Sequence, residues 1–430
     1  MFRNNYRWVV VMWLLLIGMV AYMDRVNFSI GAPLLSKELG LDPAQLGIVM
    51  SAFAIGYLVS NFPGGILSSK YSAYKLIAFI LAFWSIMTCI TGIAWSFMSL
   101  LLIRILFGIF EGPLVPGSFK IIGNWTLPKD RGFTAGLYAA FVPAGVVIGN
   151  LLSVAVVANW GWRSVFFIFG AAGIVIGLIS WILLKDRPSE HPMVSKEELD
   201  LIQTSMAKYD GKVSSEGSSK LSNLLGNPWP WIMTFNYFAI TLALFANLNW
   251  LPTYFIKARG TSLVAAGMNA SIPWIAMLLG MIIVGWLADK VGKKYKSTWN
   301  AACLFVMVPS TAYAVITPSI TVCLISFSIS LFCVGGALGL INAINLDISK
   351  KEDVPLISGM MVTGASLAGI IAPILVGYVL KATNSFNVAY YVFSAFAFVG
   401  GISGLALLSR EKKHRWARTG KKTLAAEGTA

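Results

Sequence analysis

Long apolar blocks separated by short polar segments divide this sequence and constrain its fold more than any other feature. Each block has about 20 residues or more, the length at which a helix crosses a hydrocarbon core of about 30 Å. Of the 430 residues, 57% are hydrophobic and 12% charged, whereas soluble domains have about 25% charged residues. The pattern predicts an all-α membrane protein with twelve transmembrane helices. The blocks lie at about 8–34, 46–68, 75–95, 98–118, 132–157, 164–184, 229–256, 264–288, 297–316, 320–346, 356–380 and 388–409.

A polar stretch from Lys185 to about Asn227 separates six blocks from six, and Ser214 to Ser219 is expected to be its least structured part. We therefore expect an N-terminal six-helix bundle at 1–187 and a cytoplasmic central loop at 188–226. A C-terminal six-helix bundle at 227–410 and a basic cytoplasmic tail at 411–430 follow. Because no small-x-small cleavage site follows the first block, we interpret this block as a retained span and not as a signal peptide.

The basic residues predict the orientation of the chain. With the N-terminus placed inside, 26 Lys and Arg residues fall in inside segments and 5 in outside segments. The positive-inside rule then puts both termini in the cytoplasm of a multi-pass protein of the cell (inner or plasma) membrane. The net charge of +15 does not indicate nucleic-acid binding, because the basic residues lie between apolar blocks and in the tail.

Enzyme motifs and metal sites are not recognisable in the sequence. There is no P-loop, no H-E-x-x-H, no G-x-S-x-G elbow and no Cys/His cluster with metal spacing. We predict no enzymatic activity, cofactor or metal. Both histidines, His191 and His414, fall in polar segments, so histidine is not expected to carry protons within the membrane. Without an ATP site, active transport would have to use an ion gradient.

The two halves of the sequence resemble each other and a known superfamily. The loop after the eighth block, Gly285-Trp286-Leu287-Ala288-Asp289-Lys290-Val291-Gly292-Lys293-Lys294, has an eroded counterpart at 65–75 after the second block. The loop at 285–294, after the eighth block, is similar to the signature G-x-L-a-D-[RK]-x-G-[RK]-[RK] of the major facilitator superfamily. The resemblance implies two parallel six-helix repeats related by an axis along the membrane normal.

Further segments resemble the anion:cation symporter family within that superfamily, from about residue 20 to about residue 380. The resemblance implies proton-coupled uptake of sugar acids such as galactonate, glucarate and hexuronates, or of tartrate, phthalate and related anions. The matching segments are Tyr22-Met23-Asp24-Arg25-Val26-Asn27, Phe62-Pro63-Gly64-Gly65, Arg104 to Glu111, Trp125 to Gly132, and Trp250-Leu251-Pro252-Thr253-Tyr254.

Two segments depart from the family pattern. Where the fifth span of the family often carries N-S-G-x-x-x-G, this chain has Tyr138 to Gly145, and its eleventh span, Val362 to Gly369, lacks both asparagines of the pattern N-x-x-G-N-x-x-G. Such polar groups would bind sugar hydroxyls. Their loss favours a smaller or less hydroxylated carboxylate or sulfonate as the substrate.

Four ionisable residues stand clearly within apolar blocks, all in the N-terminal half: Asp24, Arg25, Arg104 and Glu111. Charged groups at membrane depth are costly and usually functional. We assign Arg25 and Arg104 to the anion, because a guanidinium binds a carboxylate through a planar fork, and Asp24 and Glu111 to proton coupling. The alternative is a structural set of ion pairs, Asp24 with Arg104 or Arg25 with Glu111. Both interpretations can hold if protonation breaks the pairs.

Other candidates have a weaker basis. Tyr22 and Tyr57 lie near the positions of the family's substrate site, where packing is an equally good explanation. Asn249, Trp250 and Tyr254 are candidates for contacting the rest of the substrate. The same applies to Asn247, Asn342 and Asn345, each of which could instead hold helices together. At the cytoplasmic mouth we expect gating residues: Asp289, Lys290, Lys293 and Lys294.

The sequence thus predicts a secondary transporter that imports a small organic anion with protons by alternating access. Its partners would be the anion, protons and the lipid bilayer, and the family expectation is a monomer. Two alternatives remain at this stage. One is an anion exchanger or efflux antiporter of the same fold, and the other is a transporter-like ligand receptor, for which no signalling domain is evident.

Overall fold

The computed structural model describes residues 5–210, 224–290, 295–350 and 353–427, with the backbone alone for 209–210 and 414–427. Its regular structure in these ranges is helical. The helices are α1 Tyr6–Glu38, α2 Pro43–Lys70, α3 Ala73–Thr91, α4 Phe97–Glu111, α5 Leu114–Trp125, α6 Arg131–Ala139, α7 Phe141–Trp160, α8 Trp162–Leu183, α9 Lys196–Asp210, α10 Pro228–Arg259, α11 Leu263–Lys290, α12 Lys296–Ile316, α13 Ile320–Ile348, α14 Val354–Thr383 and α15 Asn387–Glu427.

The described chain contains twelve helical segments long and apolar enough to cross a membrane, which confirms the predicted number of spans. Two of them consist of paired helices: α4 with α5 (Phe97–Trp125) and α6 with α7 (Arg131–Trp160). A proline follows each break, Pro113 between α4 and α5 and Pro143 in the first turn of α7. Proline has no N–H to donate to the carbonyl four residues earlier. The helix of this span is therefore interrupted at Gly112-Pro113.

The two halves repeat the same close helix contact. A Cβ on Gly56 of α2 would clash with the carbonyl oxygen of Ile105 in α4, and one on Gly108 would clash with that of Phe53. The other half has the same reciprocal contact between α11 and α13. A Cβ on Gly280 of α11 would clash with the carbonyl oxygen of Phe332, and one on Gly335 of α13 would clash with that of Met277. Only glycine lets backbones approach this closely.

A second repeated feature lies at the start of the third span of each half. The Asp186 carboxylate, just after α8, accepts a hydrogen bond from the backbone N–H of Tyr74 at 3.0 Å. Glu411 in α15 accepts from the N–H groups of Lys296 and Ser297 at 3.1 Å each. A carboxylate at a helix N-terminus satisfies donors that have no partner within the helix. Both features support the internal repeat that the sequence indicated.

The chain divides into two compact units, one comprising Met1–Ser215 with Leu248–Ser271 and the other Glu216–Asn247 with Ile272–Ala430. α15 continues as a helix past the boundary predicted at 410, and the domain boundaries stay a prediction. Ser214 to Ser219, expected to be least structured, lie outside the described residues.

The described part of the central loop packs on the start of α1. Glu198 of α9 accepts hydrogen bonds from the backbone N–H of Tyr6 at 2.9 Å and of Arg7 at 3.1 Å. The His191 ring lies 4.3 Å from the Tyr6 ring and 6.0 Å from the Trp125 ring. The loop up to residue 208 is therefore an ordered part of the first unit.

Candidate functional site

Four ionisable side chains are buried inside the first unit, on two helices. Asp24 and Arg25 lie on α1, and Arg104 and Glu111 lie two turns apart on α4. Asp24 is 1% exposed, Arg104 3% and Glu111 1%, while the Arg25 side chain is 9% exposed. Because the glycine contact holds α4 against α2, side chains of α2 are also brought to this cluster.

Arg25 and Glu111 form an ion pair, one of the two alternative pairs expected from the sequence. Arg25 Nε donates to Glu111 Oε1 at 3.0 Å, and Arg25 Nη2 contacts the same oxygen more closely. The other carboxylate oxygen, Oε2, is buried without a hydrogen-bond partner in the part of the chain that the structure describes. One carboxylate oxygen of Glu111 thus binds Arg25, and the other makes no hydrogen bond to the described residues.

Aromatic rings surround the Arg25 guanidinium. Its Cζ lies 4.4 Å from the Tyr22 ring centroid, 4.5 Å from that of Phe53 and 5.2 Å from that of Tyr57. Guanidinium groups are attracted to aromatic faces at these distances, more strongly when water is excluded. The structure therefore brings both predicted tyrosines, Tyr22 and Tyr57, to Arg25.

Aromatic rings also surround the Arg104 guanidinium. Its Cζ lies 4.5 Å from the ring of Phe28, 5.1 Å from that of Phe107 and 5.6 Å from that of Phe53. The described residues provide no salt bridge within 4 Å for Arg104, and its Nε is buried without a hydrogen-bond partner. Phe53 thus lies between two guanidiniums, of which one is neutralised by a carboxylate and the other is not.

Asp24 is not part of the Arg25–Glu111 ion pair. Its Oδ1 accepts from Asn27 Nδ2 at 3.3 Å, while Oδ2 is buried without a hydrogen-bond partner among the described residues. The indole N–H of Trp84 on α3 is also buried without a hydrogen-bond partner among the described residues. The second expected pair, Asp24 with Arg104, is not among the salt bridges of the described residues.

The sequence analysis did not identify several residues of this cluster as site candidates. Phe28, Phe53 and Phe107 carry no signal, because phenylalanine is ordinary in an apolar block. Tyr138 is 2% exposed, and its hydroxyl has no partner. Its ring packs on Phe141, which in turn packs on Tyr22. The only signal for Tyr138 and Phe141 was their position in the segment that departs from the family pattern.

The predicted residues of α10 make other contacts. Ser29 Oγ donates to the carbonyl oxygens of Leu248 at 2.8 Å and Asn249 at 2.5 Å. Trp250 is fully buried. The Tyr254 hydroxyl accepts a hydrogen bond from Arg259 Nε at 2.8 Å. Their assignment to the substrate site stays a prediction.

The other amides lie in the second unit. Asn345 donates to Ser358 Oγ at 3.0 Å and thereby joins α13 to α14. Asn342 is exposed and donates within its own helix to the Leu338 carbonyl. Asn247 donates to the Ala243 carbonyl, and its Oδ1 is buried without a partner. Asn345 therefore has the interhelical role that was the alternative for these amides.

Of the predicted gating residues, Asp289 and Lys290 are described, whereas Lys293 and Lys294 lie outside the described residues. Lys296 Nζ lies 3.7 Å from Asp289 Oδ1 and 3.1 Å from Asp347 Oδ2. Lys290 Nζ lies 4.5 Å from the Trp286 ring centroid. Lys296, which the sequence reading did not single out, thus links the end of α11 to the end of α13.

Comparison with known proteins gives consistent matches along the chain. A family model described as Major Facilitator Superfamily matches residues 14–345 and, separately, 301–427. The probable galactarate/D-glucarate transporter of Bacillus subtilis is 31% identical, with 95% of this chain and 91% of the relative covered. The probable sulfoacetate transporter of Cupriavidus necator is 30% identical, with 90% of each chain covered.

Solved structures give the same fold. A bacterial homologue of the human lysosomal transporter Spinster, in an inward-facing and unoccupied conformation, superposes with a TM-score of 0.73. The two sequences are 18% identical, and the match covers 96% of this chain and 97% of the other. At this identity the likeness concerns the fold alone.

Proposed function

The chain belongs to the Major Facilitator Superfamily and is a membrane transporter, and we propose that it imports a small organic anion together with protons by alternating access. The observation that carries the proposal is the state of the two buried arginines. Arg25 is bound by Glu111, and Arg104 has no salt bridge among the described residues. An anion with a carboxylate or sulfonate group supplies the missing counter-charge.

Recognition of the anion would begin at Arg104 and extend to Arg25. A guanidinium donates two parallel hydrogen bonds to a carboxylate or sulfonate. The surrounding rings hold both guanidiniums in place and exclude water, which strengthens the charge interaction. Tyr22 and Tyr57, beside Arg25, would donate hydroxyl hydrogen bonds to the same anion.

Competition for Arg25 provides a route to proton coupling. While Glu111 is ionised, it occupies Arg25. A proton on Glu111 removes the negative charge that holds the guanidinium and leaves Arg25 for the anion. Proton binding and anion binding then favour each other, as coupling between two sites requires. Asp24, with one oxygen unsatisfied, is the second proton carrier.

The membrane potential explains why more than one proton is useful. An inside-negative potential opposes an entering monoanion by about 2.3 kcal/mol per 100 mV. Cotransport of a single proton only cancels the charge, whereas a second proton lets the potential drive uptake. The two buried carboxylic acids, Asp24 and Glu111, are sufficient for this stoichiometry.

The substrate class follows from the walls of the site. Where the family places polar groups, this chain has Tyr138 and Phe141, which pack beside Tyr22. These rings favour an anion with few hydroxyls, such as a short carboxylate or sulfonate. That choice agrees with the relative named a sulfoacetate transporter, although a relative of similar identity is named for galactarate and D-glucarate. The distribution of basic residues supports cytoplasmic termini.

Uptake into proteoliposomes tests the proposal. An inward proton gradient is imposed, and labelled short sulfonates, small dicarboxylates, aldarates, hexuronates, aldonates and aromatic acids are compared, with protein-free liposomes as the control. We expect one class to accumulate, and a protonophore to abolish the accumulation. Exchange of preloaded anion without proton-driven accumulation would support the antiporter instead, and no movement of any acid would reject an organic anion as substrate.

A further inference from the structure

A small polar cavity lies in the second unit, at the end of the helices where α10 and α14 begin and α13 ends. Its volume is about 230 Å³, below the range of about 300–1,000 Å³ typical of pockets for drug-sized ligands. The cavity lies where the spans end, and the indole of Trp229 is part of its wall. Tryptophan is enriched at this depth, where the lipid headgroups are.

Three charged side chains line this cavity without pairing with each other. Arg410 comes from α15, Lys350 follows α13, and Asp353 immediately precedes α14. The salt bridges found in the described chain include none of the three. The Arg410 guanidinium instead lies 5.2 Å from the Trp229 ring centroid. Among the described residues, the lining of the cavity therefore carries two cations and one anion.

Asp353 is the feature that distinguishes this cavity from a simple basic patch. It is 6% exposed, and its Oδ1 is buried without a hydrogen-bond partner among the residues that the structure describes. A helix starts at the next residue, yet the Asp353 side chain does not accept a hydrogen bond from that helix. An unsatisfied buried carboxylate oxygen is costly unless a donor reaches it. A ligand with a positively charged donor would remove this cost.

From this arrangement we propose that the cavity binds a phosphoester that also carries an ammonium group, as in the headgroup of an ethanolamine phospholipid. The phosphate lies between Arg410 and Lys350, and the ammonium donates to Asp353. Basic pockets between spans on the cytoplasmic side bind anionic lipid headgroups. The small volume suits a headgroup, and the acyl chains remain in the bilayer.

Native mass spectrometry of the full-length protein, purified in detergent, tests the chemistry. Lipid adducts are titrated with phosphatidylethanolamine, phosphatidylcholine and phosphatidylglycerol. We expect phosphatidylethanolamine to bind about tenfold more tightly than phosphatidylcholine, because its ammonium donates a hydrogen bond to the Asp353 carboxylate, whereas a quaternary ammonium has no N–H. Equal binding of these two lipids by the native protein would overturn the proposal without any variant.

Matched variants locate the site. Asp353→Asn should remove the preference for ethanolamine, while Asp200→Asn, an exposed aspartate of α9, should leave it intact. Arg410→Gln should weaken all three lipids, while Lys412→Gln, which changes the same charge outside the cavity lining, should not. Equal effects of the two aspartate variants would reject the assignment of Asp353.

Competition between the lipid and a soluble phosphoester shows whether the ligand is a membrane lipid or a free molecule. If free O-phosphoethanolamine does not displace the lipid at millimolar concentration, the ligand is a membrane lipid. Displacement at concentrations close to those of the lipid would support the same chemistry and assign the site to a soluble phosphoester. Tighter binding of phosphatidylglycerol that does not depend on Asp353 would overturn the role of the ammonium.

Discussion

The N-terminal and C-terminal halves share a scaffold and differ in what they bury. In the N-terminal half the interior holds two arginines and two carboxylic acids. In the C-terminal half, Asn236 occupies the interior and donates to Asn300 Oδ1 at 3.0 Å, to the Gly400 carbonyl at 2.9 Å and to Ser403 Oγ at 3.0 Å. Burial of a neutral amide costs less than burial of a charge, although Asn236 Oδ1 has no partner among the described residues, whereas charges in a low dielectric respond strongly to a proton or an anion.

The shared scaffold shows that this difference does not come from the backbone. Both halves have the reciprocal glycine contact and the carboxylate cap on the third span. The side chains placed on the repeat differ, and we propose a division of work in which the N-terminal half binds the anion and the protons.

Removing Arg25 should have the largest effect. Arg25→Gln leaves Glu111 buried without its counter-charge, and we expect the free energy of unfolding to fall by about 3–5 kcal/mol. The matched change in the C-terminal half, Lys296→Gln, breaks more exposed pairs and should cost less than about 1 kcal/mol. Thermal and chemical unfolding in detergent measures both.

The double variant Arg25→Gln with Glu111→Gln separates structure from function. It should recover most of the stability, because no buried charge is left unpaired, but it should not transport. Native uptake by the double variant would show that the pair only holds α1 to α4.

The glycine contacts offer a smaller perturbation at equivalent places. Gly108→Ala and Gly335→Ala each introduce a Cβ that would clash with a facing carbonyl, and overpacking of this kind costs about 1–3 kcal/mol. We expect similar losses of stability. Only Gly108→Ala should raise the KM for the anion, because it shifts Arg104 and Glu111 relative to Arg25. A KM raised equally by both variants would argue against the division of work.

Asn236→Ala should lower the free energy of unfolding by about 1–2 kcal/mol, since interhelical hydrogen bonds in membranes contribute about 0.6 kcal/mol each. The KM should stay at the native value, because this amide holds α10 to α12 and α15. Melting temperatures and uptake kinetics give the two quantities. A large increase in KM with little loss of stability would place Asn236 in the substrate site.

The smallest effect should be a pH dependence where the central loop packs on the first unit. Burial of His191, with Lys185 nearby, lowers the pKa of His191 from its usual value of about 6.5. The unfolded segment therefore binds a proton more readily, so the packing is most stable above this pH and weakens as the pH falls below it. Hydrogen exchange at 184–208 should show less protection at pH 5 than at pH 7.5. His191→Phe should remove this difference, and its persistence would assign it to another group.

The sequence predicted the number of spans and the four charges within spans, because length and charge at membrane depth are local signals. It left the pairing open, since Asp24 and Arg25 are adjacent and either could reach α4. The choice of Arg25 with Glu111 depends on how α1 packs on its neighbours. The roles of Phe53, Tyr138 and Trp84 depend on the same packing, and a single sequence gives no sign of it.

The central claim is that Glu111 links proton binding to anion binding in the N-terminal half, and Glu111→Gln tests it most directly. Exchange of labelled for unlabelled anion and accumulation driven by an inward proton gradient are measured in the same proteoliposomes. Because Asp24 can still carry one proton, the account predicts that the variant keeps exchange, with a weaker pH dependence, and accumulates much less anion than the native protein. Accumulation at the native level by Glu111→Gln would contradict it and leave Glu111 as a structural partner of Arg25.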